Sequence, residues 1–95
     1  MTPFGKAAAH PFVVEDDFHA EVIGQYATSA EAHSALKALA ETPWDRAPNL
    51  CPCGNRDCMR EYQLIKYDVS DKPWREIERR PALNVSRRGV EWLLL

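Results

Sequence analysis

Residues 41–62 divide the chain and limit what it can become. They read Glu41-Thr-Pro-Trp-Asp-Arg-Ala-Pro-Asn-Leu-Cys-Pro-Cys-Gly-Asn-Arg-Asp-Cys-Met-Arg-Glu-Tyr62 and hold all three cysteines, three of the seven prolines and one of the three tryptophans. Pro48-Asn49 and Cys53-Gly54-Asn55 are turn-forming runs, so the stretch 43–60 is predicted to be irregular. A loop of that length inside a compact domain is usually functional or tied down. Regular structure must therefore form on either side of it and share one core. A chain of 95 residues supports a single domain.

On the N-terminal side, residues 1–11 read as a flexible tail without hydrophobic period, and the domain is expected to span 12–95. Phe12-Val-Val14 begins a strand, Glu15-Asp-Asp-Phe-His19 is an acidic turn, and residues 20–27 return. The connection is too short for a parallel crossover, which leaves an antiparallel hairpin. Thr28-Ser-Ala-Glu31 is a capping box: the Thr28 hydroxyl accepts from the Glu31 amide and the Glu31 carboxylate reaches back to the Thr28 N–H. The helix it opens runs over Ser29–Glu41, with Ala32, Ala35, Leu36 and Leu39 on one face. Thr42-Pro43 ends it.

On the C-terminal side, residues 61–68 alternate as a strand, with Tyr62, Leu64 and Lys66 on one side and Gln63, Ile65 and Tyr67 on the other. Residues 71–80 read as a short helix capped by Asp71, with Pro73 in its first turn, Trp74 and Ile77 inward, and Pro81 closing it. Leu83-Asn-Val85, a turn at Ser86-Arg-Arg-Gly89 and Val90-Glu-Trp-Leu-Leu94 suggest a last hairpin. A helix from Ser86 competes with it and is weakened by Gly89. The predicted architecture is α+β: a small, mainly antiparallel sheet with one principal helix packed on one face, in ββαβ order plus a C-terminal hairpin. Its edge strands are expected to be short or occupied by the tail or a second copy. Trp44, Trp74 and Trp92 are expected to anchor the core.

Composition narrows function mainly by exclusion. Hydrophobic content of 45% and charged content of 27% are ordinary for a globular domain. A net charge of −2 argues against a dedicated nucleic-acid binder. No run approaches the ~18 apolar residues of a membrane span. The first residues lack the apolar segment of a signal peptide, so a cytoplasmic location and reduced thiols are expected. There is no G-x-S-x-G, P-loop, H-E-x-x-H or dinucleotide fingerprint, and no enzyme activity is expected.

Cys51, Cys53 and Cys58 are spaced C-x-C-x4-C. Thiolates are soft ligands, and a Pro/Gly-rich turn can aim them at one centre. A tetrahedral zinc site needs a fourth ligand, and His10, His19 or His33 would have to arrive from elsewhere in the fold. With Met59 the three thiols also form a Cu(I)-type set. Against both stands the reading of buried thiols packing under the loop, which leaves no cofactor, with zinc as the alternative. Arg75, Arg79, Arg80, Arg87 and Arg88 flank Trp74 and Trp92 as a basic-aromatic surface, although Glu76, Glu78 and Glu91 interleave with them. The functional expectation is a small non-enzymatic protein-interaction module using the 43–60 loop or a sheet edge. Trp44, Arg56, Arg75, Arg79 and Arg80 are its candidate contacts, toward an unspecified protein or a second copy. The alternatives are a zinc domain through Cys51, Cys53 and Cys58, and a weak nucleic-acid binder through the C-terminal arginines.

Pro43-Trp44-Asp45-x-x-Pro48-Asn49, followed by cysteine and then by Glu61-Tyr62-x4-Tyr67-Asp68, resembles small uncharacterised bacterial proteins with a ββαβ-type core. As an order of elements the resemblance spans residues 12–94, and its specific part lies within 43–68. It implies a fold and a bacterial source, with no activity attached. That pattern carries two cysteines in the loop, and the Cys51-Pro52-Cys53 pair departs from it, so no shared metal role follows.

Overall fold

The computed structural model describes residues 11–51, 53, 55, 57–70 and 72–94. The strands β1 (Phe12–Asp16) and β2 (Glu21–Tyr26) form the first hairpin, followed by the helix α1 (Ser29–Glu41). After the loop come β3 (Arg60–Asp68), β4 (Arg75–Ser86) and β5 (Gly89–Trp92). The sheet order is β2-β1-β3-β4-β5, and every pairing is antiparallel. This is the α+β architecture read from the sequence, with α1 in contact with β1, β2 and β4. Among the described residues no helix is long and apolar enough to cross a membrane.

The helix starts where its cap places it. Thr28 Oγ1 accepts from the Glu31 amide at 3.1 Å. The reciprocal bond differs from expectation: the Glu31 carboxylate takes the N–H of Ala27, at 3.0 Å, in place of that of Thr28. Ala32, Leu36 and Leu39 are buried against Val14 of β1, Tyr62 and Leu64 of β3, and Leu83 and Val85 of β4. Each large side chain buried this way contributes about 1.5–3 kcal/mol. Ala35, expected on the same face, is half-buried. The opposite face of the sheet has its own small apolar pair, Val13 and Ile65, which are register partners. Arg79 is the partner of Ile65 on β4 and bonds to Glu15 and Glu76 there.

The short helix expected over 71–80 does not form. Residues 75–80 belong to β4 and pair with residues 64–68 of β3. An isolated helix of that length gains little by itself, whereas the nine-residue β3 offers a full ladder to pair with. Pro81 sits inside the strand because the register shifts between Tyr62 and Gln63 beside it and β5 pairs only with Leu83–Ser86. Proline is tolerated at such bulged, edge-exposed positions. The last hairpin forms as expected, with Gly89 at φ +127° in its turn. The tryptophans divide. Trp44 packs against the core, Trp74 lies tilted against Tyr67 at 5.9 Å, and Trp92, expected in the core, is 45% exposed.

Candidate metal centre

At the end of the core beneath the loop lie three buried polar residues, Asp16, Asn49 and Arg60. Arg60 opens β3, and its guanidinium uses all five of its hydrogens. Nε donates to the Asn49 carbonyl at 3.1 Å. The terminal nitrogens reach Asp16 Oδ2 at 2.8 Å, Glu21 Oε1 at 2.7 Å, the Pro48 carbonyl at 3.0 Å and the Leu50 carbonyl at 3.2 Å. A buried guanidinium is tolerated only when its donors are matched in this way. Asn49 gives its amide hydrogens to the carbonyls of Leu39 and Thr42, closing the C-terminal end of α1. Its Oδ1 accepts from the Tyr62 hydroxyl at 2.6 Å. Residues 48–50 are thereby fixed to β3 and to the helix end, immediately before Cys51.

Asp16 ties this network to the first hairpin. Its carboxylate accepts from Arg60, from the amides of Phe18 and Glu61, and from Nδ1 of His19. Burial alone would raise the Asp16 pKa, but the Arg60 guanidinium, the Glu61 amide and His19 together outweigh it and hold the carboxyl below its ordinary 3.8. With Nδ1 facing that carboxylate, the His19 proton belongs on Nδ1 and the Nε2 lone pair is free to act as a ligand. Next to His19, Ala20 has φ 53°. A non-glycine residue in this left-handed region costs about 1–3 kcal/mol, and here it turns the hairpin while His19 stays directed at the loop.

Nε2 of His19 lies 3.0 Å from Cys58 Sγ and 3.1 Å from Cys51 Sγ. The three ligand atoms lie within 4.8 Å of one another. Cys53 lies beside this group, lining the same cavity as His19 and Cys51. Backbone amides then point at sulfur: Cys53 N–H to Cys51 Sγ at 3.3 Å, and Asn55 N–H to Cys53 Sγ at 3.4 Å. Burial decreases from Cys51, which is buried, through Cys58 to the exposed Cys53. The three thiols are free, with no disulfide among them. The neighbouring Cys51 side chain and the Asn55 amide bring Cys53 down to about 7. Burial and the two neighbouring sulfurs push Cys58 up to about 12. Charge on a neighbouring sulfur thus adds to burial in disfavouring the Cys58 thiolate.

The donor set also fits zinc geometrically. Two sulfurs converge on a single imidazole lone pair, which can accept one hydrogen. Zn–S bonds of about 2.3 Å and Zn–N bonds of about 2.0 Å give N···S edges near 3.5 Å in a tetrahedron, so the group needs to open by only about half an ångström. The Asp16–His19 pair supplies the carboxylate behind a metal-binding histidine that fixes its orientation. Met59, the soft fourth donor of the copper set, lines another cavity with Asp57, Cys58, Ser86, Arg87 and Arg88. An open cavity of about 440 Å³, lined by His19, Ala20, Glu21, Cys51 and Cys53, reaches the cluster from solvent.

Of the residues singled out from sequence, the structure gathers Cys51 and Cys58 with His19 of the β1–β2 turn, and leaves Cys53 exposed beside them. His33 stays on α1, its Nδ1 2.8 Å from the Ser29 carbonyl, and His10 lies outside the described residues. The basic candidates do not gather into one patch. Arg75 pairs with Asp68, Arg79 with Glu15, Asp17 and Glu76, and Arg87 with Asp57. Arg80 is exposed on β4, and Arg56 lies outside the described residues. Trp44 packs against the core. Asp16 and Asn49 read from sequence only as turn residues and Arg60 carried no signal, because isolated polar residues carry no periodic signal of burial. No protein-family pattern, curated protein or solved structure matches this chain.

Proposed function

We propose that the chain is a small zinc-thiolate domain in which Cys51, Cys53, Cys58 and Nε2 of His19 hold one Zn²⁺. The observation that carries this reading is the convergence of His19, 32 residues upstream of Cys51, on the sulfurs at 3.0–3.1 Å with a carboxylate behind it. Four protein ligands make a closed, structural set. Its role is to clip the cysteine loop to the β1–β2 turn, giving a small domain a cross-link that its modest core lacks. The reading is therefore non-enzymatic.

The test is the metal content of the chain purified without chelator, together with the spectrum of its Co²⁺ form. One equivalent of zinc and the absorption of tetrahedral cobalt thiolate support the proposal. Cys58→Ser and His19→Ala should each abolish the tetrahedral cobalt spectrum. A metal-free protein with no cobalt thiolate absorption overturns it.

A protein-interaction role is compatible with this centre, and one observation favours it. Val90 and Trp92 on β5 pair with the buried Val85 and Leu83 yet are themselves 44% and 45% exposed. They extend the apolar helix side of the sheet beyond α1. Native mass spectrometry across a concentration series tests self-association on this edge, and a strict monomer with wild-type and Trp92→Ser proteins alike would exclude it.

A further inference from the structure

The donors of the centre proposed above are unequally placed. His19 Nε2, Cys51 Sγ and Cys58 Sγ lie within 4.8 Å of one another, and Cys53 stands outside that group, exposed. His19 and Cys51 line the cavity of about 440 Å³ with Ala20, Glu21 and Cys53, so solvent reaches the group on the side where Cys53 stands. Three protein donors with one side open are the arrangement in which zinc takes an external ligand. Charge on the cavity wall favours one class of ligand. Glu21 is half-exposed there, with Oε1 2.7 Å from Arg60, and the same guanidinium nitrogen holds Asp16 at 2.8 Å. Two carboxylates thus share one guanidinium, and among the described residues no lysine or arginine lines the cavity.

We propose that the metal position nearest the cavity is exchangeable, and that a small thiol carrying an amine takes the place of Cys53 there. The proposal rests on the zinc-thiolate reading and names a ligand for the same site. The exchange involves no oxidation. The bond from the Cys53 sulfur to the metal breaks as the bond from the incoming sulfur forms, and the incoming thiol gives its proton to the Cys53 sulfur. His19, Cys51 and Cys58 keep their bonds throughout, as three protein ligands do in zinc sites that leave one position open. Thiol sulfur is a soft donor suited to a centre that already carries thiolates. It enters the cavity as the neutral thiol, so the Glu21 carboxylate does not oppose it. An ammonium on the same small molecule is attracted by the excess carboxylate charge, whereas a carboxylate on it is repelled.

The experiment loads the full chain and its Cys53→Ser variant with Co²⁺ and follows sulfur-to-cobalt absorption during titration with cysteamine, 2-mercaptoethanol or mercaptoacetate. Chain-bound cobalt is measured after gel filtration. Cys53→Ser should retain its cobalt and absorb as a two-thiolate centre, and an added thiol should raise the absorption, saturably, to the level of the parent. Cysteamine should bind about tenfold more tightly than mercaptoacetate. Native mass spectrometry of the zinc-loaded parent with cysteamine should show the chain carrying both zinc and thiol. Cobalt held by Cys53→Ser with a spectrum indifferent to thiols overturns the exchangeable position and leaves the metal reading standing. A Cys53→Ser variant that holds no metal while the parent does has the same consequence, because Cys53 is then indispensable, and so does cobalt lost from the chain to the added thiol. Mercaptoacetate binding as tightly as cysteamine overturns the preference for an amine. A parent chain that holds neither zinc nor cobalt removes the metal reading itself.

Discussion

Replacing Arg60 with methionine is the most informative perturbation of this fold. The guanidinium is 3% exposed and donates five hydrogen bonds, one to the fully buried carboxylate of Asp16. Methionine fills similar space but leaves that carboxylate without its cationic partner and three loop carbonyls without a donor. Removing one member of a buried ion pair costs about 3–5 kcal/mol, against a total stability of about 5–15 kcal/mol for a domain. At about 4–8 °C per kcal/mol for this size, the midpoint should fall by ~12–40 °C. The assay is thermal and urea denaturation at one fixed free-zinc concentration, since bound metal adds stability by mass action. Arg60→Lys should restore little, because an ammonium has three donors and cannot match a planar five-donor fork. In a double-mutant cycle with Asp16→Asn, coupling of about 1–3 kcal/mol is expected. If Arg60→Met unfolds within about 1 kcal/mol of the parent and the cycle shows no coupling, the clamp does not organise this end of the core.

Three further outcomes follow from single residues. Ala20→Gly should stabilise the protein by up to about 1 kcal/mol, read by urea denaturation, because glycine adopts φ 53° without strain; a loss of stability would refute the strain argument. Thr28→Ala should cost about 1 kcal/mol by removing the helix cap at 3.1 Å, again by urea denaturation. The Asp16 pKa is lowered in the folded state, so the unfolded chain binds more protons at acid pH. Its contribution is intact above the ordinary 3.8 and is lost as pH falls below that value. A pH series of unfolding free energies should show a low-pH decline that flattens in Asp16→Asn, and an unchanged slope would refute the assignment.

The sequence by itself determined what local rules govern. The capping box and apolar spacing set α1 at Ser29–Glu41, and the prolines and turn residues of 43–50 kept that run out of helix and strand. Alternation read β3, and the Ser86–Gly89 turn read the last hairpin. Tertiary structure decided the rest. Residues 75–80 carry a pattern that suits a helix turn or a strand, and pairing with β3 selected the strand. The exchange of Glu31's reciprocal bond from Thr28 to Ala27 depended on how β2 enters the cap. The centre is the clearest case. Cys51 and Cys58 lie within eight residues of each other, but the third clustered donor, His19, lies on a turn 32 residues before Cys51. Only the pairing of β1 with β3 brings that turn to the loop. Nothing in the spacing of His19, Asp16 and Arg60 records their contact, because side-chain convergence across a sheet depends on strand register and not on distance along the chain.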